Sequence, residues 1–336
     1  MSGMPTRVWA ELGWFGLTTV VRHRTDPIIG SLILTDRCNL HCQHCAVGNI
    51  RRVDYPWQRI CADLHALRGQ GVRVLFLYGG EPFLWHEGGH CLRDVVREAR
   101  AMGFVSINVV TNGTRGLDLP EADVILVSVD GTRAHHDQIR GPSYDRIMES
   151  IEAAPADNLC LYMAINRINL DDIEHVARLA RELPNVRAVS YNLHTPYPGT
   201  EHLTLTRAQR RDACDRIAQL IRAGYPVLNL LHALPRIADL ATDGPCHQCV
   251  IVEDGQQWTC GRCIEEPGLC AQCGFLFAGE LSQLFGGDPR VILDAVRTYG
   301  RLLQPAGRRV RAGGLTPPPA AALAEGLLPE RRSAPL

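Results

Sequence analysis

The sequence predicts an α/β fold in which a parallel sheet is covered by helices, and three observations predict it. Six apolar runs of strand length recur at 28–34, 72–78, 105–110, 124–129, 159–165 and 186–192. They are continuous rather than alternating, which is the mark of strands buried on both faces. Between them lie segments with helical spacing, at 57–68, 91–102, 144–153 and 171–181. Finally, glycine and polar residues gather just after the strands, as in Gly79-Gly80-Glu81-Pro82, Thr111-Asn112-Gly113 and Asp130-Gly131. In parallel α/β folds that end of the sheet is where ligands sit. Pattern alone leaves both an open sheet and a partial barrel standing.

At 336 residues, with 46% hydrophobic and 21% charged, the chain can bury one large domain, or a large and a small one. The net charge of −1 gives no electrostatic case for nucleic acid. All 35 basic residues are arginine, which excludes a phosphate-loop lysine and an internal pyridoxal Schiff base. Thirteen cysteines, most of them in tight clusters, favour metal in a reducing compartment over disulfides. The start Met1-Ser2-Gly3-Met4-Pro5 lacks the features of a signal peptide, so a cytoplasmic location is expected.

The stretch 8–21 is apolar and aromatic, with Trp9, Leu12, Trp14, Phe15 and Leu17. It reads as a helix packed on the fold, or as an amphipathic surface that touches membrane or a greasy substrate. A Pro/Gly/Thr-rich loop spans 194–206, and helices are expected at 207–222, 275–285 and 289–303. From Gln304 the chain is rich in Arg, Pro and Ala, including Pro317-Pro318-Pro319, and is expected to be disordered.

The chemistry centres on Cys38, Cys42 and Cys45. Three thiols at C-x3-C-x2-C spacing can hold three irons of a four-iron cluster and leave the fourth without a protein ligand. A site one ligand short is the catalytic rather than the structural arrangement of a metal. The competing reading is a zinc knuckle missing a ligand, or three unrelated thiols. The cysteine loop is followed by Gly79-Gly80-Glu81-Pro82, by Ser128-Val129-Asp130-Gly131 and by His136-Asp137-Gln138-Ile139-Arg140-Gly141.

This order resembles the radical S-adenosylmethionine (radical SAM) superfamily. The resemblance implies a partial (β/α)6 TIM-like barrel over 28–192, inside a domain of 28–206 preceded by the 1–27 segment. It implies a [4Fe-4S] cluster whose open iron binds the amino and carboxylate groups of S-adenosylmethionine. Gly79, Gly80, Glu81 and Pro82 would face the amino group, and Ser128 and Asp130 the ribose or carboxylate. Arg140 is a candidate for the carboxylate, since a guanidinium fork suits two oxygens. His44 departs from the aromatic residue common before the third cysteine, which puts the packing against adenine in question. Asn169, in Asn166-Arg167-Ile168-Asn169, either touches ligand or caps a helix.

A second group, Cys246, Cys249, Cys260, Cys263, Cys270 and Cys273, supplies six thiols within region 207–303. Between Cys249 and Cys260 an Asp254-Gly255 turn marks a hairpin. The first four cysteines have the spacing of a zinc ribbon. The whole run resembles in part the SPASM and twitch extensions of radical SAM enzymes, which favours an auxiliary [4Fe-4S] cluster over zinc. Cys61, Cys91, Cys160 and Cys214 read as buried small hydrophobes.

The expected activity is reductive cleavage of S-adenosylmethionine, with hydrogen abstraction from an unactivated C–H bond of a peptide, natural product or other organic substrate. A flavodoxin- or ferredoxin-like partner would supply the electron. The alternatives are a lipid or isoprenoid substrate, or a non-catalytic electron carrier with a zinc-ribbon tail. No stretch of the sequence names the substrate.

Overall fold

The computed structural model describes residues 6–22, 24–240 and 246–302; the expectations for residues 1–5 and for the 304–336 tail lie outside them. Helix α1 (Thr6–Arg22) precedes β1 (Ile29–Thr35), α2 (Trp57–Gly69) and β2 (Val74–Gly79). A small hairpin, β3 (His86–Glu87) and β4 (His90–Cys91), leads into α3 (Leu92–Ala101), β5 (Ser106–Thr111) and β6 (Val124–Ser128). Then come α4 (Arg133–Arg140), α5 (Tyr144–Glu152), β7 (Leu159–Ile165), α6 (Ile173–Glu182) and β8 (Val186–Leu193). The last part holds α7 (Arg207–Arg222), α8 (Leu234–Ala238), β9 (Cys249–Glu253), β10 (Gln256–Thr259), α9 (Leu276–Phe285) and α10 (Pro289–Leu302).

The sheet runs β10-β9-β1-β2-β5-β6-β7-β8. Every neighbouring pair is parallel except β9 with β10. Six strands in chain order, with helices in every connection except β5 to β6, make the expected partial barrel. Alternate residues explain why the strands read as unbroken apolar runs. One set, including Leu75, Leu77, Val109, Val127 and Met163, packs with the core residues of α2, α3, α5 and α6. The other, Val124, Leu126, Cys160 and Ala188, packs with Phe76 and Tyr162 in a separate cluster. A strand buried on both sides has no polar face to show.

Both edges of the six-stranded unit, β1 and β8, are covered by the C-terminal part of the chain. On one side β9 pairs with β1, from Ile29 opposite Cys249 to Ile33 opposite Glu253. Its turn to β10 is the expected Asp254-Gly255, with φ of 50° and 81°. Two successive positive values give the twist that joins adjacent strands tightly. On the other side β8 is flanked by 226–229, through Leu228 N to Val189 O (2.8 Å), and by Gly274, whose carbonyl accepts from Leu193 N (2.8 Å). Unpaired strand edges invite wrong pairing, and here those of β1 and β8 are occupied, leaving the short β10 as the outermost strand. The hairpin expected between the cysteine pairs is thus a continuation of the main sheet.

Helix α1 packs edge-on through Phe15 to Phe285 of α9, with ring centroids 5.9 Å apart, and leaves Trp14, Leu17 and Val21 exposed. Among the described residues no helix is long and apolar enough to cross a membrane.

Candidate active site

The first cysteine loop leaves the C-terminal end of β1 and is shaped by short polar side chains. Asp36 accepts from the backbone N–H groups of Arg51, Arg52 (3.0 Å) and Val53 (2.6 Å), which draws the end of the loop back to its start. Asn49 accepts from Cys38 N (3.0 Å) and donates to the Leu40 carbonyl (2.9 Å). Asx side chains that bond nearby backbone are a common way to close a turn. The sulfurs are partly satisfied: Leu40 N lies 3.4 Å from Cys38 Sγ, Gly48 N 3.2 Å from Cys45 Sγ, and Asn112 Nδ2 3.6 Å from Cys38 Sγ. Burial pushes the Cys38 thiol up, and Cys42 up to about 11. Held as bare thiols they stay protonated at neutral pH, and metal binding would displace those protons.

The Gly79-Gly80-Glu81-Pro82 turn lies directly under this loop. Gly80 N donates to Thr35 O (2.7 Å) and Glu81 N to Arg37 O (2.8 Å). A Cβ on Gly79 would stand 2.1 Å from the Thr35 carbonyl oxygen, and one on Gly80 2.1 Å from that of Arg37. Both glycines therefore let two backbones touch. Glu81 is fully buried, and its carboxylate accepts from Thr111 Oγ1 (2.7 Å), Asn112 N (2.7 Å) and Phe83 N (3.1 Å). Its side chain is spent on joining the motif to β5. Pro82, also buried, opens the 3-10 turn that follows.

Ser128 and Asp130 are buried at the end of β6. Asp130 accepts from Arg140 Nε (2.6 Å) and Ala164 N (2.8 Å). Burial opposes its charge, but Arg140, His44 and His136 hold its carboxyl below the usual range. Arg140 lies in α4, a helix the sequence reading did not anticipate. The rest of its guanidinium faces Cys42 Sγ (3.8 Å) and His44 Nε2 (3.4 Å). The Asp130–Arg140 pair thus sits beside the cysteine loop, with the arginine already engaged. Burial brings His44 down to about 4, so its ring is neutral, and its Nδ1 is buried with no partner among the described residues. Asn169 does not cap α6 with its side chain; it donates to the carbonyls of Asp130 and Ala164 (both 3.1 Å) and so ties β6 to β7.

The second group lies along the path that covers both sheet edges. Cys246 and Cys249 are buried with sulfurs 3.4 Å apart. Cys260 holds a left-handed φ of 67°, rare for a residue with a side chain. Burial pushes Cys260 up to about 12 and Cys263 up to about 11. The segment after β8 meets this group: Tyr197 lies beside Cys263, and Thr195, beside Cys273, accepts from Gly274 N (2.9 Å). Arg210 is buried and donates to the carbonyls of Ile237 and Cys273 (both 3.0 Å), with no described carboxylate paired to it. A buried cation without an acid favours negative charge nearby, as thiolates would supply. Among the described residues no three cysteine, histidine or carboxylate side chains converge as closely as a single ion requires. Of the remaining cysteines, Cys160 and Cys214 are buried as expected, whereas Cys61 and Cys91 are only half-buried, Cys91 because it opens α3.

Asn49, Thr195, Tyr197 and Arg210 escaped the sequence reading, and Asn112 was read only as part of a turn after a strand. Asp36 and Asn49, flanking the cysteines, carried a signal as turn formers; the others meet the thiols only through the fold.

The strand order and the loop agree with the comparisons. Residues 32–180 match the radical SAM superfamily model. It is 28% identical over 190 residues to the GTP 3',8-cyclase of Rhodopseudomonas palustris (strain TIE-1), covering 49% of this chain and 54% of that one. It is 28% identical over 166 residues to the sporulation killing factor maturation protein SkfB of Bacillus subtilis (strain 168), covering 45% and 38%. The chain spans about half the length of the curated relatives it matches, or less. Among solved structures, Streptococcus suis SuiB bound to precursor peptide SuiA superposes with a TM-score of 0.56 at 12% identity, over 85% of this chain and 71% of that one. Native anSMEcpe with bound AdoMet and a peptide gives 0.51 at 13%, over 81% and 100%. At these identities the two structures speak for the fold.

Proposed function

We propose that the protein is a radical SAM enzyme acting on a peptide or another organic substrate, with Cys38, Cys42 and Cys45 holding a [4Fe-4S] cluster and S-adenosylmethionine at its open iron. The cluster, reduced by an external donor, would supply one electron that breaks the S–C5′ bond of S-adenosylmethionine, leaving methionine and a 5′-deoxyadenosyl radical able to take hydrogen from an unactivated C–H bond. The chain's own residues have to shape the site and exclude water. Gly79 and Gly80 bring the motif backbone under the loop. Asp130 and Arg140 fix the charge beside Cys42, and Ser128 lines the end of β6. The observation that carries the reading is a loop with three thiols and no fourth, set at the C-terminal ends of the strands. Beside it His44 Nδ1 is buried with nothing to bond among the described residues. A buried polar atom unpaired in this way is one that a bound ligand or water would satisfy.

The region 207–303 would hold an auxiliary metal, an iron–sulfur cluster in preference to zinc. Six buried or half-buried thiols, the left-handed Cys260 and the acid-free Arg210 support it. The names of SuiB's partner peptide and of the SkfB maturation protein support a peptide among the organic substrates. An electron donor such as a flavodoxin or ferredoxin completes the reading. The exposed Trp14, Leu17 and Val21 of α1 favour a second one, an amphiphilic lipid-like substrate, testable by co-sedimentation with vesicles.

The test is anaerobic reconstitution with iron and sulfide, reduction with dithionite and assay of 5′-deoxyadenosine. Release that requires S-adenosylmethionine supports the proposal; none from iron-replete protein would sink it.

A further inference from the structure

Glu253, the last residue of β9, is only 5% exposed and carries a carboxylate that faces two guanidinium groups. Its two oxygens divide their partners by origin. Oε1 accepts from the Tyr55 hydroxyl (2.7 Å) and from Arg51 (3.3 Å), both on the segment that returns from the first cysteine loop to α2. Oε2 accepts from Arg262 (2.7 Å), which stands between Cys260 and Cys263 of the second group. Arg262 also donates to the carbonyl of Ala46 (3.2 Å), the residue after Cys45. Arg51 and Tyr55 bond one another. The backbone N–H of Arg51 bonds Asp36, two residues before Cys38. One buried carboxylate therefore stands between the two cysteine groups and bonds a residue attached to each.

The hairpin is fixed from its far end as well. Gly255 N donates to Asp63 of α2 (3.2 Å), and Gln70 and Gln257 bond each other. Glu253 thus sits on a rigid strand, and its freedom is that of its side chain alone. Its partners, Arg262 and the return of the first cysteine loop, lie outside the sheet. A metal that fixes Cys260 and Cys263 would fix the arginine between them.

We propose that Glu253 is a positioning residue that couples the two cysteine groups. Occupancy of the second group immobilises Arg262, and Glu253 and Ala46 pass that order to the loop of Cys38, Cys42 and Cys45. S-adenosylmethionine binding at the first group then depends on the second. This rests on the function proposed above and adds a regulator of the same site.

The experiment uses the full chain, reconstituted anaerobically, in four forms: wild type, Glu253→Gln, Cys260→Ser with Cys263→Ser, and all three changes combined. Two quantities are read: equilibrium binding of S-adenosylmethionine, and the shift that it causes in the electron paramagnetic resonance of the reduced first cluster. Glu253→Gln keeps the iron at the first group, binds S-adenosylmethionine about tenfold more weakly and shows a diminished shift. The cysteine variant behaves alike, and the combined variant is no weaker than the worse of its parents, because both changes cut one link. A purely structural Glu253 would lower the melting temperature and leave the shift of the folded protein unchanged. If Glu253→Gln fails to fold, Arg262→Gln breaks the same link from its less buried side. Binding within about twofold of wild type in the carboxylate or arginine variant, or losses that multiply in the combined one, overturns the coupling alone. A wild type that binds no S-adenosylmethionine overturns the proposed function and the coupling with it.

Discussion

The two cysteine groups are built in opposite ways. The first takes three thiols from one loop within eight residues, Cys38 to Cys45, and shapes it with side chains close in sequence, Asp36 and Asn49. The second takes six thiols from 28 residues, Cys246 to Cys273, and is shaped by contacts far away in sequence, β1 at one end and β8 at the other. Yet each is anchored by the same device. A Cβ on Gly80 would stand 2.1 Å from the Arg37 carbonyl, and one on Gly274 2.1 Å from that of Leu193. The difference teaches how coordination is set. A short loop can offer three ligands on one side and leave a position open, whereas thiols on a path that spans the β1 and β8 edges would surround a metal held there.

The most severe way to break the comparison is Cys42→Ala. It removes the irons of the first group and reduces 5′-deoxyadenosine release to background, while the metal of the second group is retained on elemental analysis. Next come the two anchors. Gly80→Ala and Gly274→Ala each force a backbone shift that costs about 1–3 kcal/mol or more, seen as a lower denaturation midpoint. Gly80→Ala perturbs the first group's spectrum and Gly274→Ala the second's. The same spectrum altered by both would show that the anchors are not separate.

A comparable or smaller effect follows Arg140→Gln, which leaves Asp130 buried without its guanidinium at a cost of about 3 kcal/mol in urea unfolding. The smallest is a pH effect at His136, brought down to about 4 by burial and by Arg140. Its Nδ1 accepts from Asp130 N (3.1 Å), a bond that needs the neutral ring. The unfolded chain binds a proton near pH 6.5 and the folded one only near 4. The stability from neutral His136 is therefore complete above about pH 6.5 and lost as the pH falls towards 4, by about 3 kcal/mol. Comparing urea midpoints at neutral and acidic pH for wild type and His136→Gln checks it, since the variant loses this part of the slope.

The same contrast explains what the sequence disclosed. The strands, the cysteine loop and the Gly79 to Pro82 motif were legible because each is local: an apolar run ends, and the chemistry follows within a few residues. The Asp254-Gly255 turn was legible for the same reason. That β9 would lie beside β1 was not, because parallel pairing joins residues more than two hundred positions apart and leaves no periodicity to read. Arg140 was visible as a residue but not as one already committed to Asp130, since the helix that carries it was hidden inside a motif. Thr195, Tyr197 and Arg210 look like ordinary loop and helix residues until the fold brings Cys263 and Cys273 to them.

The most direct measurement is the electron paramagnetic resonance of anaerobically reconstituted, reduced protein with and without S-adenosylmethionine. An open iron on the Cys38, Cys42 and Cys45 cluster predicts a signal whose g-values move when the compound is added and which Cys42→Ala abolishes. A signal indifferent to S-adenosylmethionine, or one that survives in that variant, would contradict the account.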